Sequence, residues 1–286
     1  MQNCNNIEEV RININSIDEE IVKLIAKRGH FVKQAAKFKN DTADVKASKR
    51  VEEVILKVKN LAKTTGANEV VVENVYRTMI DSFINAEMNE FEHLKKHDNF
   101  LKATQIIDFD DSNIQKLAFE LSKDCKSDVE IAKNCFLYVR DNINHSGDYK
   151  DDITTCKASD VLKYKTGWCY AKSHLLAALL RVNSIPTGFC YQRLNCGEYK
   201  DDVYCLHGLN AIYLKDFGWY RVDARGNKNS VDAQFNPPFE KLAFELYENE
   251  FDLPDIYENP LDIVVEKLMK NKTYNEMIND FPDYKG

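Results

Sequence analysis

Three residues of this 286-residue sequence are suited by type, order and flanks to covalent chemistry. Cys169 stands in Thr166-Gly167-Trp168-Cys169-Tyr170-Ala171-Lys172-Ser173-His174, directly before the apolar run Leu175-Leu176-Ala177-Ala178-Leu179-Leu180. The run reads as a buried helix with Cys169 in its first turn, where unpaired N–H groups and the positive dipole end favour a thiolate. His207 follows in Leu206-His207-Gly208-Leu209-Asn210-Ala211, and Asp223 closes Trp219-Tyr220-Arg221-Val222-Asp223. A histidine opening one strand and an aspartate ending the next supply a base and its orienter for a cysteine nucleophile. His174 lies roughly 140° round the helix from Cys169 and reads as a core or surface histidine. Taken singly, Cys169 is an ordinary buried thiol and His207 a capped loop histidine. Their order and flanks together outweigh those readings.

The elements that must position these residues follow from periodicity. All six prolines lie at Pro186 or later, and the first hundred residues contain only Gly29 and Gly66. Ile7, Val10, Ile14, Ile17, Ile21, Leu24, Ile25, Val32 and Ala35 recur three or four apart and predict one long helix, interrupted by the polar stretch 40–44. A second helix is expected from about Ser48 to a stop at Gly66, and a third from about Asn68 to about Leu94. Beyond a linker at 97–104, helices are expected around 114–122 and 128–142, then the Cys169 helix. Strands follow at 187–193, 209–214 and 219–223, the last two joined by a turn at Asp216-Phe217-Gly218. That turn could be two or four residues long, so the register stays open.

Composition narrows the class. A net charge of -7 without basic runs argues against a nucleic-acid or membrane-surface binder, and 44% apolar content is ordinary for globular protein. The polar start and the lack of any bilayer-length apolar run predict a cytoplasmic protein without signal peptide or membrane span. In that compartment the eight cysteines read as free thiols. The spacing of Cys190, Cys196 and Cys205 near His207 fits no zinc pattern, so no metal or other cofactor is expected.

The N-terminal helices carry cations that core packing does not require: Arg11, Arg28, Lys39 and Arg50. Arg11, Ile14, Asp18, Ile21, Ile25 and Arg28 fall along one stripe, which would let both arginines face the bundle interior. Spacing alone favours solvated or snorkelling cations. The run Arg11-Ile12-Asn13-Ile14-Asn15-Ser16-Ile17-Asp18-Glu19-Glu20, with Lys27-Arg28, Phe31-Val32-Lys33, Lys37-Phe38-Lys39 and Arg50-Val51, resembles the all-helical chorismate mutase type II family. It is most similar to the isochorismate-pyruvate lyase relatives within that family. The resemblance implies an intertwined dimer of three-helix subunits, with Arg11 entering the partner's pocket. Arg28, Lys39 and Arg50 would bind a chorismate-type dicarboxylate. Such an isomerase or lyase needs no nucleophile, only a compact substrate conformer and positive charge at the breaking C–O bond. Ala47 and Val51 stand where mutases carry acidic residues, and Phe83 replaces a small polar one. Glu87 replaces a glutamine that donates to the ether oxygen, which a carboxylate does only when protonated.

The second half resembles the transglutaminase-like superfamily of papain-type cysteine enzymes, over roughly 101–239. Beside the Cys169, His207 and Asp223 segments the match includes Ile107-Asp108-Phe109, Tyr138-Val139-Arg140-Asp141-Asn142-Ile143 and Asp223-Ala224-Arg225-Gly226-Asn227-Lys228. The resemblance makes Cys169 the nucleophile, His207 the general base and acid, and Asp223 the orienter. The oxyanion would meet the Cys169 N–H and, as a further donor, Gln192. The implied reaction is acyl transfer through a thioester, as in a cysteine protease or amidase, or in transamidation of an unidentified acyl substrate. The expected architecture is multidomain: an all-α chorismate mutase-like module at 1–96, a linker at 97–104 and an α+β transglutaminase-like domain at 105–286. The alternative function is an N-terminal sensing or dimerisation module that regulates a C-terminal cysteine peptidase or amidase.

Overall fold

The apolar spacing of the first hundred residues becomes four helices in the computed structural model, which describes residues 4–197 and 203–284. Helix α1 (Ile7–Ala36) begins at Asn6, whose side chain accepts the Glu9 N–H. The polar interruption holds a short α2 (Thr42–Lys46), capped by Asp41. Helix α3 (Ser48–Thr65) stops at Gly66, which adopts a φ of 74° that a side chain would strain. Helix α4 (Glu69–Lys96) packs against the other three. Residues 1–96 form one compact unit and 97–286 a second. The buried set of the first unit is small: Ala36, Val45, Ile55, Val58, Ala62, Ile80 and Phe91 are its apolar members. Helix α1 buries only Ala36, while Ile14, Ile17, Ile21 and Leu24 are exposed.

The second unit is α+β. Helices α5 (Ser112–Ser122) and α6 (Asp128–Asn142) start at side-chain caps from Asp111 and Ser127. Then come β1 (Asn144–His145), α7 (Ser146–Tyr149), α8 (Ala158–Tyr164) and β2 (Thr166–Gly167), with β1 and β2 paired in parallel. Helix α9 (Cys169–Val182) is buried on every side, as its apolar run requires. Strands β3 (Thr187–Asn195), β4 (Tyr204–Leu214), β5 (Gly218–Val222) and β6 (Phe251–Asp252) form an antiparallel sheet in the order β5-β4-β3-β6. One sheet face, with Phe189, Tyr191, Leu206 and Ile212, shares the main core with α9 residues Leu175 and Leu179. Helices α10 (Asp262–Lys270) and α11 (Tyr274–Ile278) close the unit.

Three expectations change. Residues 97–104, expected as a linker, fold onto the second unit. His97 is buried against Tyr213 and Trp219, and the buried Arg181 guanidinium donates to the Lys102 carbonyl at 2.7 Å. His207 is interior to β4 rather than at its opening, because the strand starts at Tyr204. Two of the eight cysteines are not free thiols: Cys196 and Cys205 form a disulfide across the β3–β4 hairpin, their Cα atoms 6.0 Å apart. The β3–β4 pairing sets Leu194 opposite Cys205, a juxtaposition that linear spacing does not reveal.

Candidate active site

Cys169 is the first residue of α9, and the preceding Trp168 offers no side-chain cap. First-turn N–H groups have no helical carbonyl four residues back, and the Cys169 N–H opens the helix at a position that suits an anion. Strand β4 runs past that turn at very close range. A Cβ on Gly208 would lie 2.9 Å from the Tyr170 ring and 3.1 Å from its Cα, so only glycine admits the approach. The Gly208 N–H donates to Cys169 Sγ at 3.5 Å, and the Tyr170 hydroxyl donates to the Leu206 carbonyl. These contacts carry His207 to the sulfur. The neighbouring pairing, with Asn210 opposite Val222, brings Asp223 beside His207. The turn holds three residues, since Leu214 pairs with Gly218.

The three side chains meet in a buried spot. His207 Nε2 lies 2.6 Å from Asp223 Oδ2, and the ring also hydrogen-bonds Cys169, for which Nδ1 is the nitrogen left. Burial alone would depress the imidazole, but the charges of Asp223 and Cys169 outweigh it and push His207 up to about 10. Asp223 is 1% exposed and accepts N–H groups from Arg225 and Ala243, each at 3.1 Å. Burial would raise its pKa. The His207 charge and hydrogen bonds lower it instead and keep the carboxylate ionised. A histidine held between a carboxylate and a sulfur is the arrangement of a base with its orienter beside a nucleophile.

A cleft of about 280 Å³ opens over Cys169 and His207, lined among others by His145, Trp168, Arg225, Phe244 and Phe281. Gln192 is not among its lining residues. It sits opposite His207 on β3, yet its amide donates to Asp252 at 3.0 Å. One of its two amide N–H groups is thus given to the carboxylate on β6. His174 is fully buried, with Nδ1 2.7 Å from the Cys156 carbonyl, and burial pushes it down to about 4.

Sequence reasoning missed His145, Lys172 and Arg225. Arg225 is 3% exposed and grips Asp148 with two bonds of 2.8 and 2.9 Å. Lys172, one turn after Cys169, donates to the carbonyls of Arg140 and Ile143. Burial first, and Arg225 next, push it down to about 7 although Asp223 and Asp148 oppose the shift. A charged residue inside an otherwise apolar helical run was the available signal for Lys172. His145 had none, because a two-residue parallel bridge leaves no periodicity.

The first unit has a cavity of its own, about 310 Å³, lined among others by Arg28, Lys39, Arg50, Ala47, Val51 and Glu87. Arg28 lies over the Phe83 ring at 4.7 Å and keeps Nη1 without a hydrogen-bond partner. Lys39 Nζ is 3.7 Å from Glu87 Oε1. Arg50 also reaches Glu53 at 3.2 Å. Arg11 does not line this cavity. It is exposed and ion-paired to Glu8 at 3.4 Å, so the shared stripe does not turn both arginines inward.

Among the described residues no group of three or more His, Cys, Asp or Glu is placed to hold a metal, and no helix is long and apolar enough to cross a membrane. Residues 10–88 match the chorismate mutase type II family, and residues 115–224 match the transglutaminase-like superfamily. No curated protein matches the chain. Similar solved structures include a candidate cysteine protease from Cytophaga hutchinsonii, 20% identical, with a TM-score of 0.38 over 46% of this chain and 42% of that one. A candidate protease from Parabacteroides distasonis is 14% identical, with a TM-score of 0.31 over 50% and 27%. The transglutaminase of red sea bream is 11% identical, with a TM-score of 0.30 over 44% and 27%. The chain thus spans less than half the length of each of these three. It carries a chorismate mutase type II-like helical domain followed by a transglutaminase-like α+β domain.

Proposed function

We propose that the second domain transfers acyl groups through a thioester on Cys169, with water or an amine as acceptor. Amide or peptide hydrolysis and transamidation are the two outcomes of that chemistry. The reading rests on one observation: His207 is held between Asp223, at 2.6 Å, and the sulfur of Cys169 in a buried site. His207 acts as general base and acid, and Asp223 orients the ring. Iodoacetamide tests this without a known substrate. At pH 6, sub-stoichiometric reagent should label Cys169 first. Burial pushes Cys135, Cys156 and Cys190 up to about 12 and raises Cys125, while Cys196 and Cys205 are joined to each other. Only Cys4 is an exposed free thiol, and peptide mapping separates it. His207→Ala should slow the labelling, and Asp223→Asn should slow it less. Labelling of Cys169 no faster than Cys4, and indifferent to His207→Ala, would defeat the reading.

The first domain is proposed to bind a chorismate-type dicarboxylate through Arg28, Lys39 and Arg50, with Arg11 supplied by a partner subunit. Ala47, Val51 and Glu87 on the cavity wall favour ligand binding over efficient mutase or pyruvate-lyase turnover. The domain then acts as a sensor or dimerisation module for the acyl-transfer domain. Incubating the protein with chorismate or isochorismate, and watching for prephenate, pyruvate and salicylate, separates turnover from binding.

A further inference from the structure

Attack of Cys169 on an acyl carbon places negative charge on the carbonyl oxygen. The N–H at the start of α9 supplies one donor to it, and the expected second donor, Gln192, does not line the cleft and gives one amide N–H to Asp252. We propose that His145, through a ring N–H, is the second oxyanion donor for acyl transfer at Cys169. The inference rests on the thioester reading above.

The placement comes from the β1–β2 bridge, which sets His145 opposite Gly167, two residues before the nucleophile. The ring packs edge-on to Trp168 with centroids 5.6 Å apart, and it lines the same cleft as Cys169 and His207. It is 5% exposed, and Nδ1 has no hydrogen-bond partner. Asp148 Oδ2 lies 3.6 Å from Nδ1, beyond a hydrogen bond. Both Asp148 oxygens already accept from Arg225, and one also accepts from Lys228 at 3.0 Å. Asp148 therefore does not claim the imidazole proton, and the tautomer with Nε2–H is available.

The surroundings suit the role. Burial first, then the charges of Arg225, Lys172, His207 and Lys228, hold the His145 pKa well below the usual histidine range. A neutral ring keeps one N–H to donate, and the His207 and Arg225 charges on the cleft wall favour negative charge there. In the step, the thiolate forms the S–C bond and the C=O π pair moves onto oxygen. Cys169 N–H and His145 N–H hold that oxygen, and no proton is transferred to it. Collapse reforms C=O and breaks the bond to the leaving group, which takes its proton from the His207 imidazolium.

The test compares two reactions of one sulfur in the full chain. Acylation by p-nitrophenyl acetate, read as the p-nitrophenolate burst, passes through an oxyanion. Alkylation by iodoacetamide does not. His145→Phe, which keeps an aromatic ring against Trp168, and His145→Ala should each slow the burst about 100-fold, with alkylation of Cys169 staying within about twofold of the unsubstituted protein. His145→Gln, which restores an N–H donor, should recover part of the burst rate. An unchanged burst in His145→Phe would overturn the proposal. So would loss confined to steady-state deacylation, which would make His145 a base for the acceptor. Equal loss of alkylation in every variant, Gln included, would also overturn it, because His145 would then act on the thiolate or the fold. No burst from the unsubstituted protein would instead bring down the assignment of Cys169 as an acyl carrier.

Discussion

Lys39 and Glu87 lie 3.7 Å apart in the N-terminal cavity, a cation and an anion that neutralise each other where a dicarboxylate would need the cation. Glu87→Gln removes the competitor and supplies a neutral donor, so chorismate should bind more tightly to this variant in titration calorimetry. Arg28 is the opposite case. Its Nη1 is buried without a partner, and a ligand carboxylate would satisfy it. Arg28→Ala should weaken chorismate binding by about 1.5–3 kcal/mol, the worth of a charge-assisted hydrogen bond. Equal affinities for both variants and the unsubstituted protein would remove this cavity as the dicarboxylate site.

Helix α9 carries the nucleophile at its start, and Lys172 fastens it to the end of α6 through the carbonyls of Arg140 and Ile143. Lys172→Met would leave those carbonyls without their donor, at a cost of about 1–3 kcal/mol. The substitution should also change the pH dependence of stability. Lys172 titrates at about 7 in the fold against an ordinary 10.5, so between those values the unfolded chain holds the extra proton. Stability from this group therefore rises with pH through the window, is complete above it and is lost as pH falls through about 7. Urea unfolding at pH 7.5 and 9 should show the stability difference between the two proteins widening with pH, by up to about 1.4 kcal/mol per unit. Parallel curves would mean that Lys172 is charged in the folded protein.

At the scale of the molecule, α1 presents Ile14, Ile17, Ile21 and Leu24 to solvent along a helix that buries one residue. Four helices with so small a core gain by burying that face against a second copy, at about 25 cal/mol per Å² of apolar area. The full chain should sediment as a dimer at micromolar concentration, and Ile17→Asp with Ile21→Asp should return it to a monomer. A folded monomer before substitution would also withdraw Arg11 from any partner's cavity.

The division between legible and hidden features follows the range of the interactions. Local propensity marked α1, α3, α4 and α9, because caps, breakers and apolar periodicity act within a few residues. The helical module followed by an α+β domain was likewise readable, as were the order and flanks of Cys169, His207 and Asp223. Other features depend on pairings between distant segments. The three-residue turn before Gly218 chose the register that sets Asn210 against Val222 and Asp223 beside His207. Pairing of β3 with β4 and β6 set Gln192 opposite His207 and beside Asp252, and the hairpin joined Cys196 to Cys205. A two-residue bridge brought His145 next to the Cys169 turn. Strand register is a global choice set by turn length and by which face finds the core, so no window of neighbouring residues contains it.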